Sequence, residues 1–140
     1  MTLRPLVLQD LTAVYQISSA TPWGQSWSME KLQMELQQGK SLAVFSPDLA
    51  AFILYRRVAD ILEIIWLATD PEKQRKGLMS QLFTALIGAE SQLSQVWLEV
   101  HEKNSDAVDF YYNNGFELQG KRASYYPDGA GALNLLKKLT

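Results

Sequence analysis

The sequence predicts a mixed α/β fold whose sheet is mostly antiparallel with one parallel strand pair, and three patterns carry that prediction. An apolar run at residues 61–69, a basic glycine loop, a helical repeat and a second strand at 95–100 make a strand–helix–strand crossover, which sets its two strands parallel. Two hairpins flank it, over 41–57 and 116–139. The length of 140 residues, with 47% apolar and 20% charged side chains, suits one domain, 1–140, with a core of its own.

Each element has its own signal. Residues 2–7 read as a short strand, and Asp10 is placed to cap a helix whose apolar positions Leu11, Val14 and Ile17 follow helical spacing. Thr21-Pro22-Trp23-Gly24 breaks that pattern. Ser28 caps a second helix over 29–37, with Leu32 and Leu36 on one face and Gly39 just past its end. Strands 41–46 and 49–57 are joined by a Pro47-Asp48 turn. The run Ile61, Leu62, Ile64, Ile65, Trp66 and Leu67 is too apolar for a half-exposed strand and belongs at the centre of its sheet, and Asp70-Pro71 ends it. After Gly77 the residues Leu78, Leu82, Ala85, Leu86 and Ala89 recur at helical spacing as far as about Glu90. Asn104 caps a further helix through Asn113, and Asn114-Gly115 offers a left-handed stop. Strands 116–122 and 133–139 close the chain around Tyr125-Tyr126-Pro127-Asp128-Gly129.

Composition narrows the chemistry. There is no cysteine and a single histidine, His101, so neither a thiolate nucleophile nor a cysteine or His-rich metal site is expected, and the metal assignment is none. A net charge of −2 argues against a broad basic face for nucleic acid. No run of 18 apolar residues and no secretory leader is present in the sequence, which makes the cytoplasm the expected compartment and leaves no membrane partner.

The segment Asp70 to Ser80 contains the one local basic cluster, Lys73, Arg75 and Lys76. An ordinary solvated loop carries such charges too. A glycine turn opening into a helix, however, presents unpaired backbone N–H groups and the positive end of the helix dipole, which together suit a phosphate.

This loop, Gln74-Arg75-Lys76-Gly77-Leu78-Met79, resembles the acetyl-CoA loop of the GNAT acetyltransferases, whose pattern is Gln or Arg, two residues, Gly, one residue, then Gly or Ala. Met79 departs from it at the last position, where the family's small residue lets the pyrophosphate approach. The likeness continues through Trp97-Leu98-Glu99-Val100, Asn104, Tyr111, Gly115-Phe116 and Tyr125-Tyr126-Pro127, and is similar to the ribosomal-protein alanine N-acetyltransferase branch. It implies the GNAT fold, with helices on both faces of the sheet and the parallel pair splayed apart at the cofactor site. It also implies acetyl-CoA as cosubstrate, held by Leu67, Ala68, Thr69, Gln74, Arg75, Lys76, Gly77, Leu78, Met79, Ser80 and Asn104.

The same resemblance implies Glu99 as general base and Tyr111 as general acid toward the leaving thiolate. Read without it, Glu99 is equally the polar side of an amphipathic strand that places Trp97, Glu99 and His101 on one face. Helices covering the sheet would half-bury that carboxylate and raise its pKa. Phe110, Tyr111 and Tyr112 are consecutive, so at least one is ordinary core, and spacing alone does not choose between the tyrosines. His101 reads either as a partner of Glu99 or as a solvent-facing residue at a strand end. Trp23, Trp27, Tyr125 and Tyr126 flank the implied acceptor groove, with Trp27 and Tyr125 as candidate substrate contacts. The implied acceptor is a primary amine, first the N-terminal α-amine of a ribosomal protein. The alternatives are a small-molecule amine, or a non-catalytic module that binds acyl-CoA or protein, which Met79 favours.

Overall fold

The structure, a computed structural model, describes residues 1–139. Seven strands follow one another in the hydrogen-bonding order β1-β2-β3-β4-β5-β7-β6. They are β1 (Thr2–Arg4), β2 (Lys40–Phe45), β3 (Leu49–Val58), β4 (Ile61–Thr69), β5 (Gln95–His101), β6 (Glu117–Arg122) and β7 (Ala132–Lys138), with helices α1 (Leu11–Ser19), α2 (Met29–Gln38), α3 (Leu78–Ala89) and α4 (Ser105–Asn113). The chain packs as two compact units, Met1–Arg56 with Trp66–Ser91, and Arg57–Ile65 with Gln92–Thr140.

In the first unit β1 pairs antiparallel with β2 and β2 with β3. β1 is shorter than its sequence suggests because Pro5 follows Arg4 and has no N–H for the ladder. β3 is buried from Leu49 through Tyr55. α1 packs on α2 and α3 packs against β2, with Val14, Leu32, Leu82 and Leu86 almost wholly enclosed. Ser28 caps α2 as its position predicts, its Oγ accepting from the Lys31 N–H at 3.1 Å. Asp10 does not cap α1. A short 3-10 turn, Leu8–Asp10, leads into that helix, and the Asp10 carboxylate turns back to accept from the Val7 N–H at 2.8 Å and from Arg4 at 2.9 and 3.1 Å. The guanidinium holds the Asp10 carboxyl below the usual aspartate range.

In the second unit β4 and β5 are the parallel pair, in register from Ile61↔Gln95 to Glu63↔Trp97. The ladder stops there although β4 runs on to Thr69 and β5 to His101. β5 pairs antiparallel with β7 along its whole length, and β7 with β6 through a register shift between Leu118 and Gly120. β7 therefore lies inside the closing hairpin, between β5 and β6. α4 begins at Asn104, whose Oδ1 accepts from the Ala107 N–H at 3.4 Å, and stops at Gly115 with φ +89°. Among the described residues no helix is long and apolar enough to cross a membrane.

Candidate active site

The loop between β4 and α3 is built to leave backbone donors open. Gly77 stands at the start of α3 with φ +73° and ψ 14°, a left-handed conformation that glycine adopts without strain. Arg75, two residues earlier, is also left-handed at φ +64°, which aims successive peptide groups differently from an ordinary turn. The first intrahelical bond runs from the Gln81 N–H to the Gly77 carbonyl at 3.1 Å. The N–H groups of Leu78, Met79 and Ser80 therefore precede it and have no acceptor within the helix.

Gln74, Arg75, Lys76, Gly77 and Ser80 are exposed, Leu78 is buried and Met79 is half-buried. A Cβ built on Gly77 would meet nothing within 4 Å. The Met79 side chain thus leaves the space beside the glycine open, and the residues present fit a bound diphosphate. The loop's own base is fixed by Asp70, whose N–H reaches the Ala50 carbonyl at 2.8 Å and whose Oδ1 accepts from the Glu72 N–H at 3.0 Å, and by Lys73, whose Nζ donates to the Ser46 carbonyl at 3.0 Å. That last contact takes one cation of the cluster out of consideration as a free phosphate ligand. Leu67 and Thr69 are half-buried on β4 and Ala68 is buried.

Trp66 of the same strand received no role from the sequence beyond the core. Its Nε1–H donates to the buried Ser18 Oγ at 2.9 Å, and Trp27 stacks on it at 6.0 Å. Gly24 closes the arrangement, since any Cβ there would collide with the Ser18 carbonyl and stand 2.9 Å from Trp66 Cζ2. Trp27 and the loop that carries it are in this way tied down on Trp66. A hollow of about 530 Å³ lined by Arg4, Asp10, Phe45, Asp48 and Asp70 reaches the base of the β4–α3 loop; its Asp10 is committed to Arg4.

In the second unit alternation along β5 is as predicted for Val96, Leu98 and Val100, which are buried, and for Trp97 and Glu99, which are not. The half-burial anticipated for Glu99 is found in its side chain, which is 34% exposed and whose Oε2 pairs with the Arg122 Nε of β6 at 3.2 Å. Arg122 extends over the Tyr125 ring at 5.2 Å, and Tyr125 meets Tyr126 edge to face at 5.2 Å. The Tyr126 hydroxyl is held above its ordinary pKa first by burial and then by the Glu99 charge, which places it in the field of that carboxylate. Arg122, missed by the sequence reading, carried no spacing signal because it reaches Glu99 only across the inserted β7.

Tyr111 and Tyr112 are resolved by packing. Tyr112 is exposed, whereas Tyr111 is 4% exposed among Phe110 and Phe116, at 5.6 and 5.4 Å between ring centres. Burial raises its phenol pKa strongly, so it holds its proton throughout the neutral range. Asn104 commits its side-chain oxygen to capping α4 and its N–H to the His101 carbonyl at 3.0 Å. The solvent-facing reading of His101 is overturned: its side chain is 9% exposed, with Asp128 at 2.8 Å from Nε2.

Comparison with known proteins agrees with this architecture. Residues 8–116 match the family model described as the acetyltransferase (GNAT) family. The chain is 31% identical over 140 residues to the [ribosomal protein bS18]-alanine N-acetyltransferase of Escherichia coli K12, covering 93% of this chain and 90% of that one. It is 28% identical over 127 residues to the enzyme of that name from Haemophilus ducreyi, covering 87% and 86%. The crystal structure of the ribosomal-protein-S18-alanine N-acetyltransferase from Escherichia coli superposes with a TM-score of 0.86 at 28% identity, over 99% of this chain and 94% of the other. With a family model matched over residues 8–116 and a relative 31% identical over 93% of this sequence, the chain belongs to the GNAT family of acetyl-CoA-dependent N-acetyltransferases.

Proposed function

We propose that this enzyme acetylates the N-terminal α-amine of a protein, a ribosomal protein first among them, by direct transfer from acetyl-CoA. The observation that carries the reading is the likeness to the bS18-alanine N-acetyltransferases along 93% of the chain. An α-amine titrates near 8, so an appreciable fraction is neutral at physiological pH, while a lysine amine near 10.4 is almost wholly protonated. A small-molecule amine is the alternative acceptor, and a cytoplasmic, single-domain protein is the setting the reading assumes.

In this reading the amides of Leu78, Met79 and Ser80 and the charges of Arg75 and Lys76 hold the diphosphate. Gln74 and Asn104 add polar contacts, and the Leu67, Ala68 and Thr69 backbone aligns the thioester arm and offers an N–H to the carbonyl oxygen. The amine nitrogen attacks the thioester carbon, a C–N bond forms as the C–S bond breaks, Glu99 takes the amine proton and Tyr111 returns one to sulfur. In this reading the amine approaches the Glu99 carboxylate, which is 34% exposed and carries Arg122 on its Oε2. Burial keeps the Tyr111 phenol protonated, so it holds the proton until the C–S bond breaks and full negative charge develops on sulfur. Alignment of amine and thioester supplies most of the acceleration, with no covalent enzyme intermediate. Trp27 and Tyr125 contact the acceptor.

Incubation with acetyl-CoA and a library of peptides with free N-termini, read by mass spectrometry, tests the proposal. Acetylation confined to α-amines, with alanine-initiated peptides ahead, is the expected result. Glu99→Gln should lower kcat by about 10²–10⁴ while leaving acetyl-CoA binding intact. Acetylation of free polyamines or amino sugars in preference to every peptide would transfer the assignment to the small-amine alternative.

A further inference from the structure

His101 ends β5 in a buried position, yet it is bound on three sides by directional contacts. Its Nδ1 accepts the Lys103 N–H at 3.1 Å. The ring proton therefore resides on Nε2, which donates to Asp128 Oδ2 at 2.8 Å. The ring face stacks on Tyr126 with centroids 4.6 Å apart and 27° between planes. Asp128 in turn accepts the Ala130 N–H at 2.9 Å through its other oxygen. The turn is closed by the Gly129 N–H to the Tyr126 carbonyl at 2.9 Å and the Tyr126 N–H to the Ala130 carbonyl at 3.0 Å. One imidazole thus fastens a carboxylate, an aromatic ring and the backbone of the β6–β7 loop to the end of the strand that carries Glu99.

From this geometry we infer that His101 and Asp128 form a latch that positions Tyr125 and Tyr126 beside Glu99 and so fixes the acceptor end of the site. His101 is in this role a positioning residue: it touches neither acetyl-CoA nor the amine. The role rests on the acetyltransferase reading above, in which Glu99 receives the amine proton. It follows from placement, because β5 alternation puts Glu99 and His101 on one face, two residues apart. Without the latch the loop keeps its turn hydrogen bonds and the Gly131–Glu102 contacts at its far end, but the segment carrying Tyr125 and Tyr126 loses its side-chain tie to β5, so the rings stand at variable distances from the carboxylate. Of the other charges near the pair, Lys103 acts on Asp128 itself, while two more are engaged with neighbours. Glu102 accepts the Gly131 N–H and Lys121 Nζ, and Arg122 is on Glu99.

The test uses the full-length protein and two readouts. His101 is the chain's only histidine, so ¹⁵N-labelled imidazole gives a single unambiguous spectrum, which should show the Nε2–H tautomer at neutral pH. Asp128→Ala should shift those ring signals. In steady-state assays with an acceptor peptide, His101→Phe keeps a ring for the stack but loses both hydrogen bonds. It should raise the acceptor KM about tenfold, with kcat and acetyl-CoA affinity near wild type. His101→Gln, which retains a donor for Asp128, should recover most of that loss. Asp128→Ala should reproduce it, and the double variant should be no worse than the poorer single one. An Nδ1–H tautomer, an acceptor KM unmoved by Asp128→Ala, or additive losses would each overturn the latch. Wild-type protein that acetylates no amine would overturn the acetyltransfer reading instead, leaving the tautomer and the Asp128→Ala shift to decide whether the latch exists.

Discussion

Replacing Gly77 with alanine separates the loop's conformational demand from its proposed service to the coenzyme. At φ +73° an L-residue costs about 1–2 kcal/mol, and because no atom lies within 4 Å of the new Cβ no steric penalty is added. For a chain of 140 residues that corresponds to a fall in Tm of roughly 3–10 °C. In the proposed cradle binding should suffer separately, since the methyl group enters the open space beside Gly77. Loss of one hydrogen bond to a charged phosphate is worth about 1.5–3 kcal/mol, or a Kd for acetyl-CoA weakened about 10–150-fold. Gly88→Ala is the control. Gly88 lies late in α3 with equally free space around its Cβ and no positive φ, so alanine should stabilise by about 0.5–1 kcal/mol and leave the Kd alone. Differential scanning calorimetry and isothermal titration read the two quantities. A Gly77→Ala protein that melts earlier but binds acetyl-CoA like wild type would refute the assignment of this loop to the diphosphate.

Met79→Ala should change the acetyl-CoA Kd by less than about threefold, because the longer side chain does not occupy the space beside Gly77; calorimetric tightening of tenfold or more would show that it does. Ser18→Ala strands the Trp66 indole N–H and should cost about 1–3 kcal/mol in urea unfolding, so an unchanged midpoint would mean that Trp66 has another acceptor. The depressed Asp10 carboxyl contributes stability that is fully present above the ordinary aspartate value of 3.8 and is lost as pH falls through its lower folded value. Asp10→Asn should therefore lower Tm at pH 6, with the two proteins converging as acid approaches pH 2. Parallel Tm curves across that range would remove Arg4–Asp10 from the acid stability of the fold.

Much of the architecture lies in local sequence. Helical spacing from Leu78 to Ala89, the caps Ser28 and Asn104 and the left-handed stop at Gly115 each act within a few residues, where backbone geometry and propensity dominate, and each is found where the pattern puts it. The crossover follows from element order alone, and so the parallel pairing of β4 with β5 was legible too. Pairing of the closing hairpin was not. Its two strands are recognisable, but whether β6 or β7 lies against β5 is settled by burial, which the apolar Ala132, Leu133, Leu135 and Leu136 satisfy better than the polar β6.

The site divides along the same line. Gly77 announces its loop because only a residue free of a Cβ takes that backbone without cost, whereas the left-handed Arg75 gives no such sign. Glu99 and Tyr111 could be picked out as candidates from the sequence, but their surroundings could not. The Arg122 partner of one and the enclosure of the other depend on which strands and rings arrive from elsewhere. Arg122 on Glu99, Asp128 on His101 and Trp27 on Trp66 join residues 23, 27 and 39 positions apart in the chain. Contacts of that separation leave no period or local motif to read; they exist only once the sheet register has brought their side chains within a few ångströms.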